Sequence, residues 1–268
     1  MERIRKALEL ARAEREQAAR QGGTPTVLAP APPVARVRSV PVDPEVLRRS
    51  EVLPPGATEP AVRVFADLAD RLLPRLDRHG WRTVAVVSPA ADDGKTFIAI
   101  HLAIAIACAA RAEAWLVELD LRAPQLHQRF GFVPQAGIEQ VLRGELPLHD
   151  AVVNPEGYPG LRLLPARAPV ANPAELLSTE TARSTLAELR RPDAHRYVVY
   201  DLPPVLDRDD LRLVAAHLDA ALLVVADGRT RRGDLRRCCE ALRGVPIVGT
   251  VLNGVRDAQP AGRADRQA

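Results

Sequence analysis

The sequence has no cysteine pair in a metal-binding spacing, no long apolar run and no large excess of charge of either sign. Its three cysteines are Cys108, Cys238 and Cys239. An odd count with two adjacent residues fits reduced thiols in the cytosol and assigns them no chemistry. A formal net charge of +3 over 268 residues gives no compositional argument for nucleic acid or for an anionic membrane. The most apolar stretch, Phe97 to Ala110, is interrupted by His101 and falls short of the about 20 helical residues that cross a bilayer. No direct membrane span is therefore expected, and any membrane association would come through a partner. The N-terminal MERIRKALELARAEREQ is charged throughout and lacks the apolar centre of a signal peptide, which points to a cytoplasmic location. No internal repeat is visible.

What the chain does have is 47% apolar and 26% charged residues, enough for one full α/β core with extensions. Residues 1–22 place Ile4, Ala7, Leu8 and Ala11 on one stripe and read as a separate amphipathic helix. Residues 23–57 are rich in proline, which removes backbone donors and fixes φ, so they read as a linker without helix or central strand. The main domain is expected over 58–256, with a disordered tail over 257–268. It opens with helical spacing through Val62, Phe65, Leu68, Leu72 and Leu76. Short apolar runs of strand type follow at 83–87, 114–119, 161–164, 197–200, 221–225 and 247–252, with helical patterns at 96–111, 179–191, 209–217 and 229–243. Doubly buried strands alternating with helices specify an α/β fold, a mostly parallel sheet flanked by helices, with ligands at the carboxyl ends of the strands.

The segment VAVVSPAADDGKTFIAI reads as strand, polar loop, Gly94-Lys95-Thr96 and apolar helix. That order aims loop amides and a helix N-terminus at one anion, while Gly94 permits close backbone approach. Lys95 would reach the β and γ phosphates and the Thr96 hydroxyl would ligate Mg²⁺. Pro89 stands where a P-loop would begin with glycine, and Asp92 and Asp93 lie where polyphosphate would sit. A carboxylate within about 5 Å of a phosphate repels it by on the order of a few kcal/mol, so these side chains should face outward or be screened by Mg²⁺.

Two acidic strand ends add to the site. AWLVELDLRAP carries Glu118 and Asp120 at period-two spacing, hence on one face, and YVVYDLPP ends in Asp201 before an irregular turn. Each acid alone fits a cap or a solvated end. Three phosphate-site signals in P-loop order outweigh that reading, because a strand-terminal Asp beside a P-loop holds a metal-bound water.

These residues resemble the bacterial tyrosine kinase (BY-kinase) family of the CpsD/CapB type, which works with polysaccharide co-polymerases, and within it the exosortase-associated autokinases. The resemblance runs through MERIRKALELA, SPAADDGKTFIAIHLA, LVELDLRAPQLH, GIEQVLRGELPLHDAVVNP, NPAELLSTE, VVYDLPPVLDRDD and LLVVADGRTRRGDL. It implies a P-loop NTPase of MinD/BY-kinase type using ATP and Mg²⁺. By the same resemblance Glu118 falls on the acid that assists deprotonation of a tyrosine hydroxyl, Asp120 on its metal-binding companion and Asp201 on the Walker B aspartate. The implied catalytic set is Glu118, Asp120 and Lys95, and the implied metal set is Thr96, Asp120 and Asp201. Cofactor contacts would span Ala91, Asp92, Asp93, Gly94, Lys95, Thr96 and Phe97, with Arg122 contacting phosphate, a neighbouring subunit or a surface acid.

The implied partner is the cytoplasmic part of a membrane co-polymerase or chain-length determinant, with a homo-oligomer possible and no nucleic acid, at the inner face of the membrane. This chain departs from the family's pattern at Glu118 and at Asp92, where a glycine is usual. The family's assembly motif of a glutamate and two arginines is echoed by Glu59, Arg63 and Arg71. GVRDAQPAGRADRQA has no tyrosine, leaving Tyr158, Tyr197 and Tyr200, so self-phosphorylation on a tyrosine-rich tail is not expected. His101 and His127 read as packing or hydrogen-bonding residues, and Arg229, Arg231, Arg232, Arg236 and Arg237 as a solvated face or a contact for an acidic loop of a membrane partner. Two rivals share the nucleotide site: a nucleotide switch or pseudokinase setting polysaccharide chain length, and a positioning ATPase of the MinD/ParA type.

Overall fold

The computed structural model describes residues 37–109, 113–191, 196–206 and 210–255. The helix expected over 1–22, the first part of the linker and the tail lie outside them. In chain order the elements are β1 (Arg38–Val40), α1 (Pro44–Arg49), α2 (Pro60–His79), β2 (Thr83–Val87), α3 (Lys95–Ala109) and β3 (Glu113–Glu118). Then come α4 (Leu126–Phe130), α5 (Ile138–Leu142), α6 (Leu148–Ala151), β4 (Val153–Pro155), β5 (Leu161–Leu164), α7 (Pro173–Leu177) and α8 (Glu180–Arg190). The last are β6 (Arg196–Asp201), α9 (Asp210–Val214), β7 (Ala220–Ala226), α10 (Arg232–Ala241) and β8 (Ile247–Asn253).

The strands form one sheet in the order β1-β4-β5-β3-β6-β2-β7-β8, parallel throughout except for the antiparallel pair β4–β5. Every residue of β2 is buried, as a strand covered on both faces requires. Val84 and Val86 pack with Phe65, Leu72 and Leu76 of α2 and Ile100 and Leu102 of α3. Ala85 and Val87 face the opposite layer with Leu186 and Leu189 of α8 and Cys238 of α10. Each fully buried Leu or Ile in these layers contributes about 1.5–3 kcal/mol relative to exposure.

The linker expected over 23–57 is corrected within its described part. Residues 38–40 add a strand alongside β4, and Pro44–Arg49 is a helix. Prolines hid both elements. Pro44 occupies the first helical position, where the missing N–H would have no partner anyway, and Asp43 caps it by accepting from Glu45 N at 2.8 Å. The short strand lies at the sheet edge, where few ladder bonds are needed. Val52 is buried and Leu53 N donates to His101 Nε2 at 3.2 Å, so this segment belongs to the domain.

For function the decisive feature is that β3, β6 and β2 are neighbours. Their carboxyl ends bring Glu118, Asp201 and the loop after Val87 side by side. Glu118 is in register with Asp201, and Leu119 N continues the pairing by donating to Asp201 O at 2.8 Å.

Candidate nucleotide-binding site

The loop between β2 and α3 is held from inside and outside. The Ser88 hydroxyl donates to Ala90 O at 2.7 Å, and Ala90 N donates to Asp93 Oδ2 at 3.0 Å. The Asp93 carboxylate is therefore spent within the loop and buried, while Asp92 faces solvent. That resolves the repulsion expected from the two acids. Asp92 sits at φ +59°, a left-handed conformation that aspartate tolerates better than most residues, so it replaces a glycine at modest cost. Glycine is favoured at position 94 on two counts: its φ is +93°, and an added Cβ would lie 2.1 Å from Asn253 Nδ2 and displace that side chain from the loop.

Residues distant in sequence complete the cradle. Arg229 Nη1 donates to Asp92 O at 2.9 Å and Asn253 Nδ2 donates to Asp93 O at 2.9 Å. In a trans peptide the N–H points opposite to its carbonyl. Gripping these two oxygens therefore turns the amides of Asp93 and Gly94 the other way, while α3 presents its own unpaired N-terminal amides. Beside the loop, at the ends of β7 and β8, opens a cavity of about 630 Å³ bounded by Asp227, Arg229, Asn253 and Gly254. Its volume lies in the range of pockets that take small ligands and cofactors.

Lys95, Thr96 and Asp201 are buried together. Asp201 is 1% exposed, and burial pushes its carboxyl up to about 6 against the opposing pull of Lys95 and a hydrogen bond from Thr96. Its Oδ1 is buried with no hydrogen-bond partner. A buried carboxylate with an orphaned oxygen is costly unless a cation completes it, and hard oxygen donors fit Mg²⁺. Among the described residues no three His, Cys, Asp or Glu side chains gather as a metal cage.

Asp120 is half-buried, and burial raises its carboxyl while Lys95 and Arg122 oppose the shift. Arg122 is ion-paired with Asp210, a buried residue at the start of α9, which fixes the guanidinium at the rim. Glu118 is 1% exposed and both its oxygens are occupied. Oε1 accepts from the amides of Gln125 and Leu126, and Oε2 from Ala166 N at 2.9 Å. Burial lifts its carboxyl to about 7 despite these bonds.

Ala91 lies exposed on the loop. The Phe97 ring packs against Phe65 and His101, with centroids 5.8 and 4.2 Å away, so its contribution to a nucleotide would be its backbone. His101 is the packing residue expected, donating from Nδ1 to Phe97 O and accepting at Nε2.

Several functional candidates were not legible beforehand. Arg229, taken as part of a solvated face, holds the loop. Arg129 acts electrostatically on Asp201 from α4. Asp210, Asp227 and Asn253 lie between about 90 and 160 residues from the loop or from Arg122, and no local pattern links them. The run VVAD, an apolar strand ending in an acid, was the one available signal for the cavity.

No family model matches the chain. Among solved structures, the kinase domain of VpsO aligns with TM-score 0.63 at 30% identity, covering 71% of this chain and 93% of that one. Among curated proteins, the tyrosine-protein kinase Ptk of Acinetobacter johnsonii is 27% identical over 175 residues, 65% of this chain and 23% of that protein. The succinoglycan biosynthesis transport protein ExoP of Rhizobium meliloti is 29% identical over 176 residues, 65% of this chain and 22% of that protein. The chain thus spans about a quarter of the length of these curated relatives.

Proposed function

This chain belongs to the bacterial tyrosine kinase family of the CpsD/CapB type, and from that premise we propose that it binds Mg-ATP on Ser88–Thr96 and transfers the γ-phosphoryl group to tyrosine hydroxyls of another protein in exopolysaccharide assembly or export. The observation that carries the proposal is Asp201, a buried carboxylate with an unpartnered oxygen, bonded to Thr96 and facing Lys95.

When bound, Mg²⁺ would supply the positive charge that offsets the β and γ phosphates. Thr96, Asp120 and Asp201 would hold it, directly or through its waters. The loop amides and Lys95 bind the phosphates, and Arg129 and Arg122 add positive charge at the rim. Asp120, half-buried beside Lys95, completes the set of oxygens for the metal, and the proton leaving the tyrosine hydroxyl passes to water or to an oxygen of the transferred phosphoryl group. Catalysis of this kind rests on positioning and charge neutralisation. The cavity beside Asn253 takes the nucleoside.

The partner proposed is the cytoplasmic part of a polysaccharide co-polymerase; the resemblance and relatives such as ExoP support it. No described helix is long and apolar enough to cross a membrane, and we place the chain at the inner face through that partner. Glu59, Arg63 and Arg71 are exposed on or beside α2 and are available for contact between copies in a homo-oligomer.

Radiolabelled ATP with a tyrosine-bearing co-polymerase segment tests the reading. Lys95→Ala should lower transfer at least about a hundredfold, within the range seen for loss of charge stabilisation. Equal incorporation by the variant would reject the site. A second reading, a nucleotide switch without transfer, is favoured by the burial of all three tyrosines. It predicts ATP binding with no phosphotyrosine on either protein.

A further inference from the structure

The segment 119–125 carries Asp120 and Arg122 and contains little regular structure. It is fixed at several points. Leu119 N bonds to Asp201 O, Ala123 N closes a turn on Asp120 O at 3.3 Å, and Leu121 O accepts from Val170 N at 2.8 Å. The amides that end the segment, Gln125 and Leu126, both point at Glu118 Oε1. Across the gap, Ala166 N points at Glu118 Oε2. One side chain therefore closes the segment on itself and joins it to the stretch after β5.

That stretch is held from its other side by a second buried glutamate. Glu139 Oε2 accepts from Arg167 N at 3.0 Å, and Ile138 N donates to Pro165 O at 2.8 Å. The junction leaves no spare room: a Cβ on Gly137 would lie 2.3 Å from Glu139 Oε2 and 2.4 Å from Arg167 N. A carboxylate accepting three amides at 1% exposure has the geometry of a strut, with its lone pairs spent on backbone.

We infer that Glu118 is a positioning residue that clamps the 119–125 segment against 165–170, setting where Asp120 meets the metal, and is not the group that removes the tyrosine proton. The inference rests on the nucleotide site proposed above. It reassigns the base expected at Glu118, whose match in the family is an aspartate. The longer glutamate spans from the end of β3 to both amide groups at once.

The test uses the full chain and compares ATP affinity in Mg²⁺ with affinity in EDTA. Glu118→Gln keeps the reach and one carbonyl oxygen for Gln125 and Leu126, whereas Glu118→Ala removes the clamp. The clamp predicts that Glu118→Gln keeps the Mg²⁺-dependent tightening within about threefold of wild type and retains most phosphoryl transfer. Glu118→Ala should lose at least about tenfold of that tightening while metal-free ATP affinity stays within about threefold, because Asp120 moves and the loop amides do not. Amide hydrogen exchange over 119–126 should rise in Glu118→Ala alone, whereas exchange at Ala166 should rise in both variants, because the glutamine NH2 cannot accept from Ala166 N.

A more than hundredfold loss of transfer in Glu118→Gln with unchanged Mg²⁺ dependence would identify a proton acceptor and overturn the clamp. So would unchanged Mg²⁺ dependence in a folded Glu118→Ala. Wild-type protein that binds no ATP in either buffer would instead remove the nucleotide site itself, and the clamp's role with it.

Discussion

Asp201→Asn should stabilise the nucleotide-free protein while destroying its response to magnesium. Burial raises the Asp201 carboxyl from 3.8 to about 6, a difference of roughly two pK units. At 1.36 kcal/mol per unit, the ionised form costs the fold roughly 3 kcal/mol. Because the folded value lies above the unfolded one, this cost is fully present above about pH 6 and disappears below about 3.8. Asparagine removes the charge but leaves an amide beside Lys95 and Thr96 with imperfect partners, which takes back about 1 kcal/mol. A net gain of about 2 kcal/mol corresponds to a Tm rise of roughly 4–8 °C for a domain of this size. Relief of the charge on neighbouring Glu118, which Asp201 also destabilises, acts in the same direction. Calorimetric melts of both proteins without nucleotide, at about pH 7.5 and again near pH 4, measure it. The difference should be large at the first pH and close to zero at the second. A lower Tm for the variant at neutral pH, or an equal gain at both, would refute the argument that Asp201 is a buried charge only partly compensated by Lys95 and Thr96 and awaiting a cation.

Four other outcomes follow from the same geometry. Mg-ATP affinity should be full above about pH 7 and fall by up to about tenfold per unit as pH drops through 6, since Asp201 must be ionised to hold the metal; titration calorimetry across that range shows it. Gly94→Ala must place a Cβ where the Asn253 amide lies, in a left-handed conformation worth about 1–2 kcal/mol, so ATP binding should weaken at least tenfold. Arg229→Ala and Asn253→Ala each free one loop carbonyl, and each should weaken ATP binding by about three- to tenfold, as loss of one hydrogen bond implies, with little change in Tm. Arg122→Ala leaves Asp210 buried without its partner and should cost about 3 kcal/mol in denaturant unfolding; Asp210→Asn should cost clearly less.

The parts legible in the sequence were those written in consecutive residues. Ser88 to Thr96 joins a fully apolar strand to an apolar helix, and Asp201 ends another such strand, so strand, loop and acid could be placed without coordinates. The parallel sheet followed because β2, β3, β6 and β7 are apolar on both faces. Three kinds of information were out of reach. Elements of three to six residues such as β1, β4 and α1 carry too few positions for periodicity, and Pro44 read as a breaker although it sits at the first helical position, where a missing N–H costs little. Long-range partners such as Arg229 and Asn253 depend on how β7 and β8 pair, which sets what reaches the loop. The destination of a carboxylate was likewise invisible: Asp93 turns into its own loop, where an outward or Mg²⁺-screened side chain was expected, and Glu118 turns onto three amides, where the family resemblance implied a role at the tyrosine hydroxyl.

The measurement that bears most directly on the account is calorimetric titration of the purified chain with ATP, with Mg²⁺ and with EDTA. The account predicts saturable one-site binding that Mg²⁺ strengthens in the wild type and leaves unchanged in Asp201→Asn. Absence of heat for ATP at about millimolar concentration, where even weak ligands register, would contradict it.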